Sequence, residues 1–545
     1  MRIAPAVGEH RRMPPWLVTA SVGVLVLLVL VTVYWWRARR PVVTPTATPP
    51  VAAVTAVARV WVSTADRRLR LTPQPDAVAS DQAPTAAGVV IDLGQRYQTM
   101  VGFGAALTDS SAWLLQNKLS EPQRAALLHE LFGPPPGLNF NLLRVTIGAS
   151  DFSLQHYTLD DLAAGEVDPQ LQHFNIAVGL RHVVPVAQAI LAIQPQLRII
   201  ASPWSAPAWM KTSANLISGT LFEEYEATYA NYLVRFVDAF RKYGLPIFAL
   251  TVQNEPTFLP LTYPGMELPA DVRARIIGRY LGPALASRQP RTLILGWDHN
   301  WDAPGQPLSV LADPVAARYV EGIAWHCYRG DPHNQIQVHR AFPQKDMYIT
   351  ECSGGDWPSS RNGELLLFAR NILLAGIRGW ARGVVYWNIA LDEQHGPHAG
   401  GCDACKGVVT IDSGTGAVSR NDEYYAFAHF SRFVLPGAVR VKSSAAADGI
   451  DNVAFQNADG GSVVLVVVNG NAQDRRVSVR QATTRFQYDL PGHSVATFVW
   501  PPDTTTAPTP ASASAGSSAP LRPAPPAAPT SEPVAATSAP RAAVQ

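Results

Sequence analysis

The sequence predicts a TIM (β/α)8 barrel with a small all-β side domain, preceded by an N-terminal transmembrane helix and followed by a disordered C-terminal tail. Short apolar, β-branched runs alternate with longer helix-like segments such as 122–132 and 223–243, which is typical of consecutive βα units. More strand-like runs follow the last βα unit, and proline is densest near the two chain ends. At 545 residues, one barrel with an appended domain accounts for most of the chain.

The first 40 residues contain a candidate membrane helix at about 16–36, a run that is almost wholly apolar and carries no charge. About 20 such residues span a bilayer as a helix. The run ends in Tyr34, Trp35 and Trp36, which are typical of a membrane interface, and not in the small residues that signal peptidase requires. We expect a membrane anchor, with a cleaved signal peptide as the alternative.

Two further segments lie outside the predicted domains. Residues 41–57 are rich in Pro, Thr, Ala and Val without a helical or strand period, which indicates a stalk. Residues 501–545 consist mainly of Ala, Pro, Ser and Thr and cannot bury enough apolar surface to fold. We expect a disordered tail there, either a spacer that crosses a cell wall or a segment without function.

Composition excludes some functions. The net charge is +2 and only 16% of residues are charged, so the chain lacks the basic surface that a nucleic-acid-binding protein needs. Most of the 14 tryptophans lie in the middle of the chain. Flat apolar rings suit stacking on sugars, although core packing explains most tryptophans in any protein.

The predicted barrel covers residues 99–435 and contains eight candidate strands: 100–103, 142–147, 197–201, 247–251, 292–296, 322–325, 347–350 and 383–387. In a TIM barrel, the residues at the carboxyl ends of the strands form the active site. Polar and aromatic residues that end or follow these runs are Thr108, Asp109, Arg144, Asp151, Ser202, Trp204, Asn254, Glu255, Asp298, Asn300, His326, Tyr328, Glu351 and Asn388.

A side domain is predicted from five strand-like runs in 436–500, namely 438–441, 453–455, 463–468, 476–479 and 494–500. Residues 58–98 contain two more, at 59–63 and 87–93. We expect these to pair with the C-terminal strands, since a chain that begins this close to a barrel commonly needs a sheet edge to join.

Two glutamates end apolar strands in the predicted barrel. Glu255 lies in an Asn-Glu-Pro sequence, where apolar walls would raise its pKa towards that of a general acid, and Asn254 would bond a sugar 2-hydroxyl. Glu351 follows 96 positions later, a gap that suits three further βα units. Two such carboxylates at one barrel mouth indicate glycoside hydrolysis, with a separation of about 5–5.5 Å in a retaining enzyme.

Residues 57–500 resemble the glucosylceramidase-like enzymes of glycoside hydrolase family 30. The motifs are Val101-Gly-Phe-Gly-Ala-Ala-Leu-Thr-Asp-Ser110, Leu143-Arg-Val-Thr-Ile147, Ser150-Asp-Phe-Ser153, Ser202-Pro-Trp-Ser-Ala-Pro-Ala-Trp-Met210, Gln253-Asn-Glu-Pro256, His326-Cys-Tyr328, Thr350-Glu-Cys352 and Tyr386-Trp-Asn388. The resemblance implies a retaining mechanism with Glu255 as acid/base and Glu351 as nucleophile.

The resemblance also implies roles for seven other residues. Asp151, Trp204, Asn254 and Trp387 would hold the glucosyl unit, while Arg144, His326 and Tyr328 would orient or tune the nucleophile. Each type of residue has a structural alternative. The aspartate can cap a helix, the tryptophans can pack the barrel top, and the histidine can be a hydrogen-bonded core residue.

The resemblance implies a retaining β-glucosidase of glucosylceramidase type, which acts in sphingolipid metabolism. The alternative is an endo-β-1,6-glucanase, because Cys327, the loop 396–405 and Glu351-Cys-Ser-Gly354 are similar to the bacterial and fungal branch of the family. The expected substrate is thus glucosylceramide or a β-glucan. A carbohydrate-binding surface protein without catalysis is an alternative of another class.

Four cysteines are present, and no cofactor or metal is expected. Cys402 and Cys405 form a CxxC sequence without a second CxxC or paired His motif, so a local disulfide is predicted instead of zinc. Cys327 and Cys352 follow adjacent predicted strands and either form a bridge or are buried separately. Disulfides and the expected substrate favour an extracytoplasmic position for the catalytic domain.

Overall fold

The computed structural model describes residues 16–38 and 56–503, except for 84, 87, 178–180, 358–363 and 446. Most of the predicted stalk at 41–57 and of the predicted tail at 501–545 lies outside these residues. Helix α1 (Trp16–Ala38) occupies the region of the predicted membrane helix and has described side chains from Leu27 onwards. Among the residues described, no helix combines the length and the apolar character needed to cross a membrane.

The body of the protein begins with three strands of the side domain. They are β1 (Ala56–Thr64), β2 (Thr72–Val78) and β3 (Gly88–Thr99). Met100, directly after β3, donates its backbone N–H to the carbonyl of Ala438 at 2.7 Å, still within the side domain. The first barrel strand consequently begins at Gly102, two residues later than the sequence predicts.

Within the described residues, eight parallel strands close into a barrel in chain order, as the sequence predicts. They are β4 (Gly102–Ala106), β5 (Leu142–Ile147), β6 (Arg198–Pro203), β7 (Ile247–Thr251), β8 (Leu293–Asn300), β9 (Val320–His326), β10 (Asp346–Glu351) and β11 (Ala381–Tyr386). Inward side chains such as Leu142, Leu295 and Tyr348 fill the interior. The barrel is thus a packed core whose carboxyl end carries the polar residues.

Helices surround the barrel and bury their apolar faces against it. They are α2 (Asp109–Asn117), α3 (Glu121–Phe132), α4 (Val183–Ile193), α5 (Glu226–Lys242), α6 (Ala270–Arg275), α7 (Gly282–Ala286), α8 (Gly305–Ala312), α9 (Pro314–Ala317), α10 (His333–Ala341), α11 (Glu364–Leu366), α12 (Ala375–Arg378) and α13 (Asp422–Ser431). Ile276–Leu281 and Leu367–Leu374 are π-helical, and Ala208–Met210, Glu223–Tyr225 and Ala458–Gly460 are 3-10 turns. A small sheet after the barrel contains β12 (Ala390–Leu391), β13 (Val409–Ile411) and β14 (Val418–Arg420).

The side domain is completed by C-terminal strands, which are β15 (Val439–Ser443), β16 (Ile450–Gln456), β17 (Val463–Asn469), β18 (Arg475–Gln481), β19 (Thr484–Leu490) and β20 (Ser494–Trp500). The strand order is β19-β18-β3-β15-β16-β17-β20-β1-β2. The predicted pairing of the N-terminal and C-terminal strands is observed in β1 with β20 and in β3 with β15. Strands β2 and β19 were not predicted from the sequence, and the Thr-Pro-Gln-Pro start of β2 has no apolar alternation.

Candidate active site

The last residues of the barrel strands bring the predicted site residues together. Glu255 follows β7 with a positive φ of 46°, a left-handed conformation that costs a non-glycine residue about 1–3 kcal/mol. Two backbone hydrogen bonds hold this turn: Asn254 N–H donates to Pro203 O at 2.8 Å, and Glu255 N–H donates to Asp298 O at 3.0 Å. The acidic side chain is therefore positioned by strands β6, β7 and β8 together.

Glu351 ends β10 and is held by two donors. Arg144, in β5, donates from Nη1 to Oε2, and the hydroxyl of Tyr328 donates to Oε1 at 2.8 Å. Arg144 also donates from Nη2 to Oδ1 of Asn254 at 2.7 Å. Because this bond occupies the amide oxygen, Asn254 offers its NH2 group to a sugar hydroxyl. The guanidinium thus links the two glutamate-bearing strand ends.

A buried aspartate at the end of β8 connects these groups. Asp298 accepts hydrogen bonds from Arg144 Nη2 at 3.0 Å and from His326 Nε2 at 3.1 Å. Ser202, Thr251 and Thr350 donate three further bonds of 2.7–2.8 Å. Burial raises the pKa of Asp298, but the charges of Arg144 and His326 and these hydrogen bonds outweigh it and hold the pKa far below its usual range. Asp298 is an anion that fixes both neighbours.

Two histidines flank Glu255. His326 Nδ1 lies 3.0 Å and His299 Nδ1 lies 3.2 Å from the same atom, Glu255 Oε1. Burial raises the pKa of Glu255, but the charge of His299, the hydrogen bond with His326 and the charge of His326 lower it below its usual range. The prediction that apolar walls raise this pKa is therefore wrong, because the walls include two imidazoles.

His326 is a charged member of the site. Burial lowers its pKa, but the charge of Glu351 and the hydrogen bonds to Asp298 and Glu255 outweigh burial and raise the pKa to about 9. At neutral pH the ring consequently carries a proton on both nitrogens. This is the buried, hydrogen-bonded position that the structural alternative describes, yet the same ring faces the two predicted catalytic glutamates.

Asp151 lies in a turn after β5, and α2 is capped nearby by the side chain of Thr108. Burial, followed by the charges of Glu351 and Glu255, raises its pKa to about 8. At neutral pH it is a neutral acid that can donate a hydrogen bond. Its backbone carbonyl accepts from Ala399 N–H at 2.8 Å, which ties this turn to the loop 396–405.

The predicted sugar-binding tryptophans stack on each other. The ring centroids of Trp204 and Trp387 are 5.2 Å apart and the planes differ by 17°. The guanidinium carbon of Arg144 lies 5.0 Å from the first centroid and 5.4 Å from the second. Both rings are almost fully buried, so they pack the barrel top at the same place where they border the site.

Both pairs of cysteines are disulfide-bonded. The predicted Cys402–Cys405 bridge lies within the loop 396–405. This loop packs tightly on Asp151, since a Cβ on Gly401 would lie 2.4 Å from Asp151 Cβ. The Cys327–Cys352 bridge spans the ends of β9 and β10, with Cα atoms 5.4 Å apart. Cys352 directly follows Glu351, so this bridge lies beside the nucleophile candidate.

The structure brings together all nine residues predicted to bind or react, and it adds others. Asp298 was predicted only as a strand-end residue, and His299 was not predicted to belong to the site. Both lie in the β8 sequence Gly-Trp-Asp-His-Asn. The polar residues that end this apolar strand are the feature from which they could have been predicted as site residues. Glu255, His299 and His326 also form a group whose donor atoms all lie within 4.8 Å and can hold a metal ion.

Comparison with known proteins agrees with this architecture. Residues 100–434 match the glycosyl hydrolase family 30 TIM-barrel domain, and residues 437–498 match the family 30 beta sandwich domain. An endo-1,6-β-D-glucanase of Aspergillus fumigatus is 36% identical over 433 residues, covering 74% of this chain and 85% of that protein. An endo-1,6-β-D-glucanase of Neurospora crassa is 33% identical, covering 85% and 98%.

More distant relatives include the lysosomal acid glucosylceramidase of Mus musculus, 30% identical over 451 residues and covering 78% of this chain and 85% of that protein. A solved endo-β1,6-glucanase superposes with a TM-score of 0.76 at 31% identity, covering 82% of this chain and 100% of that one. Since both domain families match in the order in which the two domains follow one another here, the chain belongs to glycoside hydrolase family 30.

Proposed function

We propose that this chain is a retaining endo-β-1,6-glucanase, the alternative that the sequence left open. The two glucanases above are more similar to this chain than the mouse glucosylceramidase is. The β-glucosidase of glucosylceramidase type is therefore the second candidate. A carbohydrate-binding protein without catalysis is disfavoured. Glu351 is held by a buried ion pair with Arg144 and by the hydroxyl of Tyr328, and sugar binding alone does not require a carboxylate fixed in this way.

The observation that carries the mechanism is the position of both glutamates around one nitrogen. His326 Nδ1 lies 3.0 Å from Glu255 Oε1 and 4.0 Å from Glu351 Oε1, so the two oxygens are no farther apart than the sum of these distances. The spacing of about 5–5.5 Å between the two carboxyl groups of retaining enzymes lies within this bound. Most of the range for inverting enzymes, about 6.5–9.5 Å, lies beyond it.

In the proposed reaction, Glu351 attacks the anomeric carbon and forms a glucosyl-enzyme. Arg144 and Tyr328 orient the attacking carboxylate through their hydrogen bonds. Glu255 protonates the leaving oxygen. Since its pKa is low in the free site and that of His326 is high, the proton that Glu255 delivers resides beforehand on His326, 3.0 Å from Oε1. Glu255 then activates water to release the sugar.

The second candidate has one structural observation in its favour. Phe258, Leu259 and Leu261 follow the acid/base candidate and are exposed by 43%, 42% and 86%. Phe258 N–H donates to Glu255 O at 2.9 Å, which keeps this apolar loop beside the carboxyl that protonates the leaving group. An apolar leaving group such as ceramide would contact these side chains.

Direct substrate comparison tests the proposal. Purified protein is incubated with linear β-1,6-glucan, with glucosylceramide and with an aryl β-glucoside, and Glu351→Gln serves as the control for contaminating activity. We expect internal cleavage of the glucan to a ladder of oligosaccharides that first appear as β-anomers. Release of glucose alone from chain ends, or faster turnover of glucosylceramide than of glucan, would favour the second candidate.

A further inference from the structure

The group formed by Glu255, His299 and His326 has the geometry of a three-ligand metal site. One carboxylate oxygen lies 3.0 Å and 3.2 Å from two imidazole nitrogens, and the donor atoms all fall within 4.8 Å. Zinc binds such ligands at about 2.0–2.2 Å in a tetrahedron, which separates neighbouring donors by ~3.3 Å. Small side-chain shifts would therefore be enough to coordinate an ion.

Neighbouring residues orient the three candidate ligands in the way that is usual around a bound metal ion. His326 points Nδ1 at the group while its Nε2 is bonded to Asp298 Oδ1 at 3.1 Å, the carboxylate–histidine arrangement that orients metal-ligating imidazoles. His299 Nδ1 is buried and, among the described residues, makes no hydrogen bond of acceptable geometry despite its 3.2 Å approach to Glu255. A buried imidazole nitrogen in this state is free to serve as a metal ligand.

We infer that Glu255, His299 and His326 bind one Zn²⁺ or a similar transition-metal ion and leave the fourth coordination position to water or a substrate oxygen. Binding displaces the proton from His326 Nδ1 to solvent and forms one oxygen and two nitrogen bonds to the ion. The charges of Glu351 and Asp298 favour the ion, and that of Arg144 opposes it. The consequence, which rests on the proposed function, is inhibition, because the ion occupies the carboxylate that must protonate the leaving group.

Metal binding is measured without reference to activity. The full-length protein is titrated with ZnCl2 by calorimetry at pH 7.5, and Co²⁺ absorption reports tetrahedral coordination. We expect one equivalent of tight binding. His299→Gln should weaken it at least tenfold, and Glu255→Gln should act likewise as a second variant. His333→Gln is the matched control, because His333 and Asp331 form an exposed pair outside the site. Circular dichroism verifies that each variant is folded.

Inhibition is measured on the best β-glucoside substrate. Zn²⁺ should compete with substrate, act less at pH 5.5 than at pH 7.5, and be reversed by a chelator, while His299→Gln should keep residual activity that Zn²⁺ inhibits at least tenfold less. Equal zinc binding by wild type and both ligand variants, or no bound zinc, overturns the inference. If zinc binds and the variants lose it but no glycoside is hydrolysed, the site stands and the proposed function fails.

Discussion

Arg144 and Glu351 form an ion pair in which neither partner has appreciable contact with water, the side chains being 0% and 8% exposed. The same guanidinium neutralises Asp298, which is fully buried. Arg144 therefore compensates both anions at the barrel mouth, and the protonated His326 adds a second cationic partner for Asp298. Removing the guanidinium leaves Glu351 without its ion-pair partner and Asp298 with His326 alone, which is far more costly than losing an exposed pair.

We expect Arg144→Met to lower the free energy of unfolding by about 3–5 kcal/mol, the usual cost of breaking a buried ion pair. Urea unfolding of the purified protein measures this. Arg476→Met is the control, because Arg476 and Asp489 form an exposed pair worth less than about 1 kcal/mol. A loss for Arg144→Met no larger than that of the control would contradict the role of this pair.

The Cys327–Cys352 bridge should matter for both stability and catalysis. It closes a segment of 25 residues, so replacing both cysteines by alanine should cost roughly 3.5 kcal/mol, against roughly 2 kcal/mol for Cys402 and Cys405 with a separation of 3. Tyr328 and Glu351 adjoin the first bridge, and we expect kcat to fall several-fold with KM little changed. Thermal unfolding and kinetics of the two double variants, measured side by side, decide this, and an unaltered kcat counts against it.

The barrel could be predicted because its strands are buried on both faces and so appear as continuous apolar runs, as at 247–251. Strand β2 could not be predicted, because Pro73 and Pro75 have no backbone N–H to donate to a neighbouring strand. Such prolines are tolerated in a sheet mainly at its edge, which is where β2 lies. Whether a run is an edge strand depends on which strands pair, and the local sequence does not contain that information.

The glutamates of the site were predictable as polar ends of apolar strands. The electrostatics were not, because they depend on residues far apart in sequence. The low pKa of Glu255 comes from His299 and His326 on neighbouring strands, and the five bonds to Asp298 come from five different strands. The apolar sequence before Glu255 gave no sign of these imidazoles.

Stability should fall as the pH rises because Glu423 is a buried acid that packs against Gly354, three residues after Glu351. Burial raises the pKa of Glu423 from 4.5 to about 8, and its Oε1 packs where a Cβ on Gly354 would be. The folded state then binds a proton that the unfolded chain has lost, so this contribution is complete below pH 4.5 and disappears as the pH approaches 8. Glu423→Gln should reduce the difference in urea midpoint between pH 5 and pH 8. The exposed Glu224→Gln should not, and equal effects would refute the argument.

The N-terminal run 16–36 remains a predicted anchor, because it is uncharged and ends in aromatic residues. We expect the full-length protein in the membrane fraction of the expressing cell, and a variant that begins at residue 41 to be active in the soluble fraction. Cell fractionation with immunoblotting and N-terminal sequencing measures both. A native N-terminus beyond residue 40 would identify a cleaved signal peptide instead.

Replacing Glu351 and replacing Glu255 should change the kinetics differently, because in double displacement one acts as nucleophile and the other as acid/base. Without the carboxylate of Glu351 no glucosyl-enzyme forms, so Glu351→Gln should lose nearly all turnover on every substrate. Sugar binding should largely persist, since Asp151, Trp204 and Trp387 are unchanged. Initial rates and calorimetric titration with an oligosaccharide measure the two properties separately.

Glu255→Ala should slow hydrolysis of substrates with poor leaving groups by about 10²–10⁴-fold, the usual contribution of a general acid. A dinitrophenolate needs little protonation, so the glucosyl-enzyme should still form from a dinitrophenyl β-glucoside and then accumulate for want of a base. Azide needs no base to attack, and it should accelerate this variant and yield the β-glucosyl azide. With Glu351→Gly, azide enters the space of the missing carboxylate and should yield the α-azide. NMR of the products distinguishes them, and exchanged configurations, or an inverted product from the wild-type enzyme, would show that Glu255 and Glu351 do not have these roles.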